Sequence, residues 1–340
     1  MTSAELVRAA LNRPLSADEA EAAVGGMVDG TATAVQTAAM LSAIATRGAT
    51  PAEVAGGVRA LRRAMVPGEV ANAQGLVDTC GTGGGALTTF NISTAAALLA
   101  AGSGARIAKH GNRSFSSRSG SADVLEALGV RIDLDAGAAA RVLDRAGIVF
   151  LFAPLYHPAM RQVAPVRREL GTPTLFNILG PLANPAYARR QLVGVADPRL
   201  MDLVAEALRE LGHERALVVH GEPGMDELSP LGITEVVELN GGVLRRWSFD
   251  PGEQLGWAGF APSELAGGDP ADNARLVEGV LDGRIGGAAR AAVVLNAGAA
   301  LYLAGLADSV TDGVGAAQRA LEAGAGTACL ERLRAATAAV

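Results

Sequence analysis

The chain is poor in the residues that build metal clusters and covalent staples. Only two cysteines, Cys80 and Cys329, and four histidines occur in 340 residues. Two cysteines make neither a disulfide framework nor a thiolate cluster, so a reducing compartment, the cytoplasm, is the simple expectation. Aromatic residues are also scarce, at 4%. With 43 glycines and many alanines beside them, closely packed helices and tight loops are expected. No positive charge is in excess: 29 Lys and Arg stand against 35 Asp and Glu, a net charge of −6. That argues against the phosphate backbone of nucleic acid as a partner, although a local pocket can still be positive. The first residues lack a basic start followed by an apolar core, so no signal peptide is expected. The longest apolar stretch, residues 291–307, is broken by Asn296 and by Gly and Ala. It is too weak for a membrane span and is expected to be a buried helix.

What remains is the profile of a globular protein, 49% hydrophobic and 19% charged, and long enough for a large and a small domain. The first 65 residues carry four capping-box spacings: Thr2 with Glu5, Ser16 with Glu19, Thr33 with Gln36, and Thr50 with Glu53. Pro51 suits a first helical position, where its missing N–H costs nothing. The apolar faces expected of these helices include Val35, Ala38, Ala39, Leu41 and Ile44, then Val54, Val58, Leu61 and Met65. A small all-helical domain over residues 1–66, joined by part of 155–190, is expected.

From 67 to 340 the pattern becomes that of an α/β domain. Strand candidates are 75–79, 105–108, 148–152, 216–220, 233–239 and 243–249; helical patterns include 121–128, 136–146, 160–170 and 199–211. Alternation of this kind predicts a mostly parallel central sheet flanked by helices, with ligands at the carboxyl ends of the strands.

Four motifs fall at those ends. Gly81-Thr-Gly-Gly-Gly85 follows the first strand, where bare backbone can approach a phosphate closely; taken alone, a plain tight turn explains it equally well. A dinucleotide fingerprint would need an acidic residue about 20 positions on, and Lys109 and His110 stand there instead. Asn91-Ile-Ser-Thr94 opens a helix, whose free N–H groups suit phosphate, and Ser93 or Thr94 also suits a simple N-cap. Lys109-His-Gly-Asn-Arg-Ser114, with Ser116, Ser117 and Ser121, is expected to form a cationic, donor-rich loop. Asp226-Glu227, on a turn after His220, suits a solvated turn or, beside phosphate motifs, Mg²⁺.

These motifs, together with Gly120-Ser-Ala-Asp-Val-Leu125, Val166-Arg167 and Leu175-Phe-Asn-Ile-Leu-Gly-Pro181, occur in the order found in anthranilate phosphoribosyltransferases, and the chain resembles that family over nearly its whole length. The resemblance implies a nucleoside phosphorylase/phosphoribosyltransferase-like fold. It implies a Mg²⁺-dependent pentosyltransferase of tryptophan biosynthesis, with phosphoribosyl pyrophosphate and anthranilate as substrates. It also implies a homodimer formed through the helical domain. By the same resemblance Gly81, Gly84, Gly85, Thr89, Asn91, Ile92, Ser93, Thr94, Lys109, His110, Gly111, Asn112, Arg113, Ser114, Phe115, Ser116, Ser117 and Ser121 would hold phosphoribosyl pyrophosphate. Ser93, Asp226 and Glu227 would bind magnesium, and Lys109, Asp226 and Glu227 would carry catalysis. Gly81, Asn112 and Arg167 would contact anthranilate, with His110, His157 and Pro181 near its path; packing beside Tyr156 and Pro158 is an equal role for His157. One departure is visible: the family's glycine loop usually continues Asp-Gly, where this chain has Gly85 and Ala86. The alternatives are an enzyme of the same fold with another acceptor and a non-catalytic nucleic-acid binder. Arg167 with Asn112 speaks against the first, and the acidic balance speaks against the second.

Overall fold

The structure, a computed structural model, describes residues 1–114 and 118–340. Phe115, Ser116 and Ser117 lie outside the described residues. Four helices open the chain: α1 (Ser3–Asn12), α2 (Ala17–Val28), α3 (Ala34–Arg47) and α4 (Pro51–Ala64). All four capping boxes form, the cap hydroxyl accepting from the third residue's N–H while that residue's side chain accepts from the cap N–H. One expected face is corrected. Val35 is 79% exposed, whereas Thr37, Met40, Leu41 and Ile44 are buried. The buried set follows the three- and four-residue spacing of one helix face, and Val35 falls two residues outside it. Glu53 is a fully buried carboxylate; it pairs with Arg47 and accepts the N–H groups of Leu15 at 2.9 Å and Thr50 at 3.0 Å, joining three segments of the bundle.

The α/β part follows in the order β1 (Val77–Gly81), α5 (Ile92–Gly102), β2 (Ile107–Gly111), α6 (Ser121–Ala127), α7 (Ala136–Ala146) and β3 (Ile148–Phe152). Next come α8 (Ala153–Tyr156), α9 (Met160–Leu170), α10 (Phe176–Leu182), β4 (Arg190–Gly194), α11 (Met201–Glu210), β5 (Arg215–Gly221), β6 (Thr234–Asn240) and β7 (Val243–Phe249). The chain closes with α12 (Pro251–Leu255), α13 (Pro270–Leu281), α14 (Gly287–Ala304), α15 (Val310–Glu322) and α16 (Ala325–Ala338).

One seven-stranded sheet runs in the order β3-β2-β1-β4-β5-β6-β7. β1 to β5 are parallel, and β6 and β7 are antiparallel. The chain winds one way from β1 to β3 and the other from β4 to β5, so the switch point lies between β1 and β4, where α/β sheets place their ligands. β4 escaped the hydrophobic pattern because it begins Arg-Gln, yet Gln191 is fully buried at the sheet's centre, its amide donating to Asp78 on β1 at 3.2 Å.

Alternate side chains serve two cores. Leu217 and Val219 join the core built with α5, α7 and α13 to α16, while Ala216 and Val218 join the core shared with the helical bundle, α10 and α11. Burial on both faces is what a parallel sheet requires. Among the described residues α14 alone is long and apolar enough to cross a membrane, but 78% of it is buried, packed by α5 and α15 as a core helix. β7 is an edge strand with its two arginines, Arg245 and Arg246, exposed.

Candidate active site

Four of the five parallel strands end on glycine: Gly81, Gly111, Gly194 and Gly221. At two of them a close approach demands it. The turn after β5 folds back across the strand ends, so a Cβ on Gly194 would sit 1.5 Å from the Asp226 carbonyl oxygen. One on Gly81 would sit 2.6 Å from the Asp226 carboxylate. This lowered turn delivers Asp226 and Glu227 to the glycine loop and the start of α5. Asp226 accepts the Gly83 N–H at 3.0 Å, and Glu227 accepts the Ser93 N–H at 3.1 Å.

Burial raises the pKa of Asp226, and burial followed by the neighbouring Asp226 raises that of Glu227 well above 4.5. Glu227 Oε2 is buried without a partner among the described residues. An orphaned carboxylate oxygen in a dry site is costly unless a proton or a cation meets it. Hard oxygen donors of this kind fit Mg²⁺. Among the described residues no group of three or more His, Cys, Asp and Glu could hold a metal. The pair therefore suits an ion that completes its shell with water, a hydroxyl and substrate phosphate.

Lys109 and His110 lie inside β2 rather than in the loop after it. Lys109 is buried beneath α5; its Nζ donates to the Thr79 carbonyl and, at 3.2 Å, to Ser93 Oγ. Desolvation lowers its pKa, opposed by Asp78, Cys80 and Glu227. A sequence rule that sends charge to loops misses it, because buried Asp78 supplies the counter-charge on the adjacent strand.

The glycine loop takes left-handed backbone at Gly83 and Gly84 (φ +68° and +82°). Thr89 bridges to Ala266, and Ile92 is wholly in the core, leaving only its backbone for a ligand. The N-cap of α5 is Asn91, not Ser93 or Thr94, and its side chain makes no cap bond. Instead it accepts from Asn273 at 2.9 Å and donates to the Ser119 carbonyl at 3.2 Å, joining α5, α13 and the segment before α6. Thr94 Oγ1 is buried without a partner among the described residues. Gly111 ends β2, and Asn112 beyond it is exposed while its carbonyl accepts from the Ser121 hydroxyl at 3.3 Å. Arg113 turns onto α6, where Asp123 and Glu126 bind it at 2.8 and 2.5 Å. The Ser114 N–H donates to Asp123 at 3.3 Å.

Arg167, His110, His157 and Pro181 are the residues expected on the acceptor side. The Arg167 guanidinium lies 5.6 Å from the Phe176 ring centre and donates to Asn177 at 3.3 Å. Burial alone lowers its pKa, and among the described residues no carboxylate answers its charge. The His110 and His157 rings stand 5.0 Å apart. Desolvation pushes them down to about 3 and about 4, so both are neutral imidazoles at pH 7, each with a buried, unpartnered Nε2 among the described residues. At the departure noted in the glycine loop, a Cβ on Gly85 would lie 3.3 Å from Asp226 Oδ1. Glycine here keeps a third carboxylate away from the acidic pair.

Asp78, Asn184, Gln191, Gly194 and Asn273 complete the surroundings and were not anticipated. Asp78 alone left a signal, an acid inside an apolar run; the others act through contacts distant in sequence.

Residues 73–327 match the model of the α/β domain of a glycosyl transferase family, and residues 5–65 match the helical bundle domain of that family. The chain is 52% identical over 327 residues to the anthranilate phosphoribosyltransferase of Rubrobacter xylanophilus, covering 96% of this chain and 95% of that one. It is 49% identical over 337 residues to that of Thermomicrobium roseum, covering 98% and 96%. The crystal structure of anthranilate phosphoribosyltransferase from Thermus thermophilus superposes with a TM-score of 0.92 at 42% identity, covering 99% of each chain. The Saccharomyces cerevisiae enzyme in complex with PRPP and Mg superposes with a TM-score of 0.90 at 25% identity, covering 100% of this chain and 98% of that one. Matched over nearly its whole length in sequence and in fold, this chain belongs to the anthranilate phosphoribosyltransferase family.

Proposed function

We infer that the protein transfers the phosphoribosyl group of phosphoribosyl pyrophosphate to the amine of anthranilate, releasing pyrophosphate, as a Mg²⁺-dependent step of tryptophan biosynthesis. The observation that carries this is the buried Asp226–Glu227 pair, held against the glycine loop and the first turn of α5 with one carboxylate oxygen unanswered. Asp226, Glu227 and the Ser93 hydroxyl would hold magnesium, which when bound offsets the charge of pyrophosphate.

The remaining work falls to the chain itself. Bare backbone at Gly84 and Gly85 would lie against the phosphates, with Lys109 adding charge from beneath Ser93. The nitrogen of anthranilate forms a bond to the anomeric carbon as the carbon–oxygen bond to pyrophosphate breaks, the electron pair leaving with pyrophosphate, and the nitrogen then gives its proton to solvent. An aromatic amine is neutral at physiological pH, so no strong base is needed before attack. Arg167 meets the carboxylate of anthranilate in a charge-assisted pair. Two neutral histidines beside it add no competing charge.

The protein acts, on this reading, as a cytoplasmic homodimer. The exposed apolar side chains of the helical bundle, Leu11 at 62% and Val35 at 79%, supply the pairing surface. The decisive test is loss of anthranilate fluorescence with stoichiometric pyrophosphate release, dependent on protein, phosphoribosyl pyrophosphate and Mg²⁺ together. Folded protein that leaves the fluorescence unchanged across a range of Mg²⁺ would exclude anthranilate as the acceptor.

A further inference from the structure

A helix end leaves its last carbonyls without intrahelical partners. At the end of α10 the Gly180 carbonyl accepts the Ala183 N–H at 3.2 Å, and side chains from elsewhere meet the carbonyls of residues 180 to 183. Gly180 faces the His110 ring and Ala183 faces the His157 ring. Leu182 accepts from Arg62 of α4 at 3.0 Å, and Pro181 accepts from Gln191 Nε2 at 2.9 Å.

Gln191 is the member tied into the sheet. The same Nε2 reaches Asp78 Oδ2 at 3.2 Å, and Asp78 Oδ1 accepts the His110 N–H at 3.1 Å. Both side chains are fully buried. An unbroken chain of hydrogen bonds therefore crosses β4, β1 and β2 from the Pro181 carbonyl to the His110 backbone. A buried carboxylate at the centre of a sheet costs stability, and apolar residues would fill the space with less penalty. Such a network has a geometric use: it fixes distances between elements that packing alone leaves adjustable.

We propose that Asp78 and Gln191 are positioning residues for the acceptor, setting the spacing between Pro181 and His110 without touching substrate. This rests on the placement of Pro181 and His110 beside anthranilate in the function inferred above. The segment 176–186 is then held to the sheet at two points, the Pro181 carbonyl on Gln191 and the Asn184 amide on the Ala108 carbonyl of β2 at 2.8 Å, and Gln191 sets the first of them.

The test is Gln191→Leu, which removes the donor at similar volume. The KM for anthranilate should rise about tenfold, since an ångström of misplacement is costly, while the KM for phosphoribosyl pyrophosphate stays within about twofold. Hydrogen exchange should speed up in peptides spanning 176–186 and not in those spanning 81–94. Glu238→Gln, on β6 two strands away from β4, should move neither KM and serves as the control for a merely lowered melting temperature. Should Gln191→Leu fail to fold, Asp78→Asn decides. It keeps the acceptor for His110, turns a donor toward Gln191, and should give the same KM split. Equal rises in both KM values, or a lower melting temperature with an unmoved anthranilate KM, overturn the proposal. If the wild-type protein consumes no anthranilate, the functional inference fails by itself. Exchange confined to 176–186 would then still support the clamp, and unchanged exchange would overturn it.

Discussion

Adding one methyl group at Gly194 should disable the enzyme while leaving its fold largely in place. Gly194 ends β4 at the switch point, and its Cβ would fall 1.5 Å from the Asp226 carbonyl oxygen. Ordinary contact begins at 3.4 Å, so the 225–228 segment has to retreat by about 2 Å or β4 has to give way. β4 is held on both sides by β1 and β5, so the turn yields. Displacement on this scale exceeds the ångström that costs about a hundredfold when catalytic groups are misplaced. Gly194→Ala should therefore lower kcat/KM by at least about a hundredfold, with an overpacking penalty of about 1–3 kcal/mol. Anthranilate fluorescence at saturating Mg²⁺ gives the first number and thermal unfolding by circular dichroism the second. A folded Gly194→Ala protein within threefold of wild-type activity would refute the placement of Asp226 and Glu227 as the working acids.

Other outcomes follow from named side chains. Asp226→Asn with Glu227→Gln should raise the Mg²⁺ concentration needed for half-maximal rate, and unchanged rates at limiting Mg²⁺ would remove the pair from metal binding. Because the Glu227 pKa in the folded chain lies well above 4.5, metal-free folded protein keeps a proton that the unfolded chain has already lost. Its contribution to stability is complete below 4.5 and declines as pH rises toward the folded value. The melting temperature in chelator should accordingly fall more between about pH 5 and about pH 8 in wild type than in Glu227→Gln; parallel curves would contradict the buried protonated acid. Arg167→Ala should raise the anthranilate KM by about 10- to 100-fold, the range of a charged hydrogen bond, with little change for phosphoribosyl pyrophosphate. Equal effects on both substrates would count against a dedicated contact. Glu53→Ala should cost about 3 kcal/mol by stranding Arg47 and two backbone N–H groups, visible in urea unfolding; a loss under about 1 kcal/mol would show that the bundle relaxes around it.

Local rules reached far into this fold. The capping boxes of α1 to α4 are complete within four residues each, so they could be seen in the sequence, as could the spans of β3, β7, α7 and α9. The glycine loop and the acidic pair stood out because unusual residues are adjacent. What stayed hidden depends on partners far apart in the chain. β4 disguises a buried glutamine that Asp78, 113 residues away, and the Pro181 carbonyl make tolerable. Lys109 looks like a loop residue until Asp78 and Thr79 surround it. Ser93 and Thr94 look like helix caps, whereas the cap position falls to Asn91, whose side chain is diverted by Asn273, 182 residues on. Val35 misled because a helix face is fixed by what packs on it, and an apolar residue two positions off the stripe is simply left out.

The edges of the sheet carry one more consequence. An unpaired strand is a template for aggregation, since its free backbone groups accept a strand from another molecule. β3, at one edge, is buried for most of its length beside α7 and α8. At the other, β7 carries Arg245 and Arg246 on opposite faces, the latter held by Asp202 at 2.6 Å. A second copy adding there would bring like charges together on the incoming strand. Growth of the sheet at the β7 margin is thereby disfavoured.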